Sequence, residues 1–284
     1  MRLTTRRCGD IAPVREKGCL NFLSLKGTPL IALTLYNFSA STCSQSVRFC
    51  LAEKCLEWED HRMNSPTGEH LREPYLSLNP NGVVPTLVHD DAAIVDSTVI
   101  MEYLDEVWPE PSMVPKEAKA RARMRAWLRY FEEVAHPSIR FPSFHYFIGK
   151  KMADRTPEQI KAFADKHPSR KEFYGAMQPG GFTAEELAGA EERLTNTLER
   201  MEKTLSAPGH SGPWLMGEQL TVADACILSV IDRMTDLGMA HLWKNGARPG
   251  VARWYEEIQK RPAFAATYYP GTRLSENYGA PRNR

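Results

Sequence analysis

The spacing of apolar residues changes character once along this chain, at the prolines Pro109, Pro111 and Pro115. Side chains alternate between the two faces of a strand but return to one face of a helix about every 3.6 residues, so the two patterns build different architectures. Proline fixes one backbone angle and donates no hydrogen bond, which ends regular elements and suits a linker. Upstream of the break the apolar runs are short and β-rich, at residues 31–36, 56–62, 84–88 and 92–95. Helical spacing lies between them, in Val47, Cys50, Leu51 and Ala52, at residues 70–78, and at residues 97–107 with Ile100, Tyr103 and Leu104 on one side. The predicted order is βαβ, then α, then ββα, within residues 32–110.

Downstream every pattern is helical. Met124, Trp127, Phe131 and Val134 share one face of a long helix, and Leu187, Leu194, Leu198, Met201 and Leu205 form the stripe of another. Three helix starts are marked by a threonine set three residues ahead of a side chain that can reach back to it: Thr156 and Gln159, Thr183 and Glu186, Thr221 and Asp224. The run from Thr221 to Ile231 is almost wholly apolar and predicts a central, buried helix. The fold class expected is thus α/β followed by all-α, with a helical part over residues 117–268 and a loose tail over 269–284.

Composition narrows the functional classes. The chain has 284 residues, 25% of them charged, and a formal net charge of +1. No window approaches the roughly 18 apolar residues of a membrane helix, and the charge balance does not suit a general nucleic-acid or membrane-surface binder. The charge is unevenly spread: residues 1–31 hold six basic residues against Asp10 and Glu16, a local +4 that leaves −3 for the rest. That segment has neither the apolar core nor the cleavage site of a secretory signal and reads as a loose N-terminal extension or an over-extended start. Six scattered cysteines without a secretion signal predict reduced thiols in a cytoplasmic setting, and no Cys/His spacing fits a metal.

Three short stretches carry candidate chemistry. Ser41-Thr42-Cys43-Ser44 lies between the first strand and the first helix. Helix N-termini present unpaired N–H groups and partial positive charge, so an anion is favoured there, and a hydroxyl or thiol can bond a thiolate or become one. The same residues are equally those of an ordinary N-cap. Val84-Pro85 heads a strand after an Asn-Gly turn, where a peptide-like ligand could pair with the backbone or the strand could simply be an edge. Asp96-Ser97, at the next helix start, could grip an ammonium and a carboxylate or serve only as a cap.

Together these stretches resemble the glutathione transferase family over residues 32 to about 265. Residues 41–48, STCSQSVR, are similar to the S-S-C-S-x-x-V-R stretch of zeta-like transferases. Asn79-Pro80-x-Gly82-x-Val84-Pro85-x-Leu87 resembles the family's cis-proline motif, Asp96-Ser97-x-x-Ile100 its glutamyl-binding motif, and Leu220-Thr221-x-Ala223-Asp224 its second-domain capping box. The resemblance implies a thioredoxin-like βαβαββα domain followed by a helical bundle, with glutathione as co-substrate, no metal, and a homodimer. It implies that Ser41 donates to the glutathione sulfur with Thr42 beside it, that Val84 before a cis Pro85 pairs with the cysteinyl backbone, that Asp96 and Ser97 hold the γ-glutamyl end, and that His70 meets the glycine carboxylate. Cys43 is the alternative nucleophile, through a mixed disulfide. Val83 stands where many relatives carry Lys, Arg or Gln, and Asp96 where the usual residue is Glu.

Residues 138–180 form an insertion relative to compact transferases, with Phe141, Phe144, Tyr146, Phe147 and Phe173 among many basic residues. A similar long segment occurs in β-aryl-etherase-like and ganglioside-associated relatives, and the expectation is a pocket for a bulky aromatic electrophile. The reaction expected is attack of a glutathione thiolate on that electrophile. Aryl-ether cleavage and maleylacetoacetate-type isomerisation are the alternatives, and a non-catalytic binding module is the alternative from another class.

Overall fold

The computed structural model describes residues 33–64, 67–148, 155–177 and 181–281. The basic extension predicted for residues 1–31 lies outside them. In the first half, strands β1 (Leu33–Asn37), β2 (Glu59–Arg62), β3 (Thr86–His89) and β4 (Ala92–Val95) form one sheet in the order β2-β1-β3-β4. β1 runs parallel to β2, and β3 runs antiparallel to β1 and β4. A parallel neighbour requires a crossover, supplied by helix α1 (Thr42–Glu53). A short α2 (Tyr75–Leu78) precedes the turn into β3, and α3 (Ser97–Val107) closes the unit. This is the expected βαβαββα order.

Helix α1 is buried from Ser44 to Leu51 on both faces, against the sheet and α3 on one side and against the helical half on the other. The linker is fastened in place by a buried ion pair. Lys54 Nζ lies 2.6 Å from Asp105 and donates to the Trp108 and Pro111 carbonyls at 2.8 and 2.9 Å. Asp105 also accepts from the Met113 amide at 2.7 Å.

The second half is helical: α4 (Ala118–Tyr130), α5 (His136–Ser143), α6 (Pro157–Asp165), α7 (Lys171–Gly175), α8 (Ala184–Leu205), α9 (Val222–Asp236), α10 (Pro249–Gln259), α11 (Pro262–Thr267) and α12 (Leu274–Tyr278). The long helix expected through Val134 is interrupted by a π turn, Phe131–Ala135, and Pro142 inside α5 is followed by a second, Phe144–Ile148. A π turn inserts one extra residue per turn and so re-phases the helix, here with Ala135 and His136 buried and Val134 only half-buried. The Thr156, Thr183 and Thr221 helix starts are all present. α9 is buried from Val222 through Met234, and Asp224 at its start accepts from Thr221 N, Leu215 N and the Trp254 indole, each at 2.9 Å.

Two expectations need correction. The tail predicted to be loose carries α12 and is fastened to α9: Arg273 Nη2 lies 2.8 Å from Asp232, the Leu274 amide donates to Asp236 at 2.8 Å, and the Leu274 side chain is buried. An ion pair and one apolar anchor order a segment whose sequence shows no period. Of the cysteines expected to be reduced, Cys43, Cys50 and Cys226 are free but Cys55 is disulfide-bonded. No described helix is long and apolar enough to cross a membrane.

Candidate active site at the start of helix α1

The loop entering α1 is held from behind by two buried arginines. Arg48 donates to Asn37 Oδ1 at 2.7 Å and to the Phe38 and Ser39 carbonyls at 3.4 and 2.7 Å, and Arg233 of α9 donates to the Ala40 carbonyl at 2.5 Å. The first N–H groups of a helix have no partner within it, and the aligned peptide dipoles favour an anion at this start. Ser41 is the N-cap, and its Oγ accepts from Ser44 N at 3.3 Å. Thr42 is half-buried in the first turn.

Cys43 faces the helical half. Its Sγ lies 4.0 Å from His136 Nδ1, and His136 Nε2 lies 3.4 Å from the Cys226 sulfur, so one buried imidazole bridges two thiols. Burial pushes the Cys43 thiol up, but the His136 charge and hydrogen bond, then Arg140 and Arg170, outweigh it and hold the thiol at about 6. His136 answers in kind: burial lowers it, while the Cys43 and Cys226 sulfurs raise it to about 10. Cys226 is pushed up, chiefly by burial. Near neutral pH the pair is therefore a thiolate beside an imidazolium. His136 was not among the residues singled out from the sequence. It is 93 positions from Cys43, and nothing local marks it.

The other predicted residues line the same end of the sheet. Tyr36 pairs with Thr86 and Thr86 with Val95, so the residues one step beyond, Asn37, Pro85 and Asp96, fall in a row across β1, β3 and β4. The Val84–Pro85 peptide is cis. The preceding carbonyl, of Val83, accepts from Tyr75 Oη at 2.5 Å and Asn79 Nδ2 at 2.9 Å, and both donors' side chains also reach Thr86 Oγ1, at 2.8 and 3.1 Å. This network fixes the turn, and Val84 packs beside Met63 and Tyr75. Asp96 has φ of +75°, unusual for a residue with a Cβ. Its Oδ1 accepts from the Thr98 and Val99 amides at 3.0 and 3.2 Å and from Thr98 Oγ1 at 2.9 Å. Ser97 is buried behind it.

His70 is also at this end, its ring edge-on to Phe38 at 5.0 Å and 5.7 Å from His167. Burial foremost, then His167 and Arg170, holds it at about 4, so its imidazole is neutral near pH 7, and its Nδ1 has no partner among the described residues. The insertion supplies that company. Ser169 donates to the Asn81 carbonyl at 2.5 Å, fastening the turn before α7 over the β3 turn. Most of its aromatics form a core of their own: Phe141 lies 4.7 Å from Phe182 and Phe144 lies 5.3 Å from Phe173, around buried Ile160, Tyr174 and Met177.

A mixed four-stranded sheet with a cis-proline turn, joined to a helical bundle through α1, defines a class, and comparison with known proteins agrees. Residues 40–107 match the model of the glutathione S-transferase N-terminal domain, and residues 159–268 that of the C-terminal domain. Glutathione S-transferase Z2 of Arabidopsis thaliana is 38% identical over 232 residues, 82% of this chain and 88% of that protein. Protein LigF of Sphingobium sp. strain SYK-6 is 27% identical over 243 residues, 82% of this chain and 92% of LigF. The crystal structure of the beta-etherase LigF has a TM-score of 0.72 to this fold, covering 84% of this chain and 98% of that one. Ganglioside-induced differentiation-associated protein 1-like 1 of Homo sapiens is 25% identical over 271 residues, 83% of this chain and 73% of that protein. The chain belongs to the glutathione S-transferase family.

Proposed function

We propose that this transferase binds glutathione along the row formed by the α1 start, the Val84–Pro85 turn and Asp96-Ser97, and activates its thiolate for attack on a small aromatic electrophile. One observation carries the reading: the strand register brings all three stretches to one end of the sheet. In this scheme the Val84 backbone meets the cysteinyl part, Asp96 and Ser97 take the γ-glutamyl end, and Ser41 with Thr42 and the first-turn amides bonds the sulfur. A free thiol titrates near about 8.5, and a hydroxyl with a helix dipole can lower that by favouring the charged form. Holding both reactants together supplies the rest of the acceleration. The working form is a homodimer in the cytoplasm, to be checked by light scattering on the eluted protein and by cell fractionation.

A second reading is favoured by the His136 contact. Here the Cys43 thiolate attacks a glutathionyl disulfide, forms its own disulfide with glutathione and expels the other thiolate. Calorimetry with glutathione and turnover of an aryl chloride, an aryl ether and maleylacetone test the proposal. Binding with conjugation of the chloride is expected. Absence of binding at millimolar glutathione would leave only a non-catalytic module. Separate Ser41→Ala and Cys43→Ala variants divide the two readings, because loss of turnover in the second alone transfers the chemistry to Cys43.

A further inference from the structure

Six buried or half-buried arginines of this protein are paired or bonded: Arg48, Arg121 and Arg233 to backbone carbonyls, Arg248 to Glu199, Arg261 to Glu53 and Arg273 to Asp232, and half-buried Arg155 lies over the Phe163 ring. Arg140 and Arg170 differ. Both are half-buried, yet neither makes a side-chain hydrogen bond or an ion pair with any described residue. Arg140 lies one helical turn beyond His136 on α5 and so shares its face. Arg170 ends the short turn Pro168–Arg170, next to Ser169, which is bonded to Asn81, and three residues after His167, whose ring stands 5.7 Å from His70. The two guanidinium groups act on each other and both act on the Cys43 sulfur, so all three lie within electrostatic reach of one another.

The surroundings do not neutralise them. His136 is cationic, His70 is neutral, and no described carboxylate comes within ion-pair distance of either arginine. A guanidinium taken partly out of water without an acceptor is costly, and two within reach of each other are more so, unless a ligand supplies the acceptor. Planar, forked donors fit a carboxylate, the anion an aromatic acceptor most simply carries. Beside Arg140 on α5 and the turn after it lie Phe141 and Phe144, half-buried at the edge of the insertion core, so the same wall offers an aromatic surface and two cations.

Resting on the transferase reading above, we propose that Arg140 and Arg170 form an anion subsite for the acceptor, and that the acceptor is an aromatic molecule bearing a carboxylate. The reaction at such a molecule is a substitution. The glutathione sulfur forms a bond to the ring carbon, the leaving group departs with its electron pair, and the carboxylate is unchanged, held between the arginines.

The probe is 4-chloro-3,5-dinitrobenzoate, from which chloride leaves, compared with its neutral methyl ester. For each, kcat/KM with glutathione is divided by the uncatalysed rate, which removes the electronic difference between acid and ester. The normalised acid-to-ester ratio is expected to fall by roughly tenfold to a hundredfold in Arg140→Gln and in Arg170→Gln, the range for losing a charge-assisted bond. Arg140→Lys, which keeps the charge but not the fork, is expected to retain part of it. A ratio indifferent to all three substitutions overturns the subsite. So does a rise in the glutathione KM as large as that in the acid KM, which would assign the arginines to glutathione's own carboxylate. Turnover of neither probe overturns the transferase reading itself, and the subsite with it.

Discussion

Replacing His136 by Gln should uncouple Cys43 from the imidazolium in contact with it. In the native protein His136 Nδ1 stands 4.0 Å from the sulfur and holds the thiol at about 6, against an ordinary value of 9.0. At pH 7 that corresponds to a thiolate fraction of about 90%. Without the imidazolium, burial remains and Arg140 and Arg170 remain, and the thiol returns to about 9 or above, for a fraction of about 1%. A thiolate of higher pKa is also the stronger nucleophile, and a Brønsted slope of about 0.4–0.5 returns roughly twentyfold of that loss. The rate at pH 7 should therefore fall only about fivefold, whereas the pH at which it is half-maximal should move from about 6 in the native protein to beyond 9. Iodoacetamide labelling of the Cys43 peptide, followed by mass spectrometry across pH, measures both. Cys50, pushed up to about 12 by burial, and Cys226, also pushed up by burial, stay silent in the window. A native midpoint near 9, or a midpoint that stays near 6 after the substitution, would refute the pairing.

Other substitutions probe the frame around that sulfur. Arg48→Leu orphans Asn37 Oδ1 and two loop carbonyls and should cost about 3–5 kcal/mol in urea unfolding, with weaker glutathione binding by calorimetry. Asp224→Ala leaves the Leu215 amide and the Trp254 indole without an acceptor. A loss of about 3 kcal/mol or more in thermal unfolding is expected, and a loss below 1 kcal/mol would mean that those donors find water. Asp96→Gly keeps the +75° backbone angle accessible while deleting the cap, so a small stability loss of a few tenths of a kcal/mol should accompany a large loss of glutathione affinity. Equal glutathione affinity in that variant would remove Asp96 from the site.

Much of this architecture is written in local signals. The change of period at Pro109–Pro115 separates the sheet from the bundle because a proline-rich stretch can extend neither pattern. Thr156, Thr183 and Thr221 mark helix starts because each cap is completed within one turn. The Asn-Gly turn, Val84-Pro85 and Asp96-Ser97 were legible for the same reason, each being a short stretch whose backbone need is met by its own residues.

What could not be read locally is what comes together across the fold. The β-ladder register sets Asn37, Pro85 and Asp96 in one row. The π turn at Phe131–Ala135 precedes a buried His136 that lies against a cysteine 93 residues away. The aromatics of the insertion pack largely on one another, and a turn of the insertion fastened to Asn81 brings His167 beside His70. The tail is ordered by an ion pair to Asp232, an amide bond to Asp236 and the buried Leu274 side chain. Periodicity and capping are satisfied within a few residues, so a chain displays them before it folds. The charge state of a thiol depends on which groups end up within a few ångströms of it, and only the packed chain decides that.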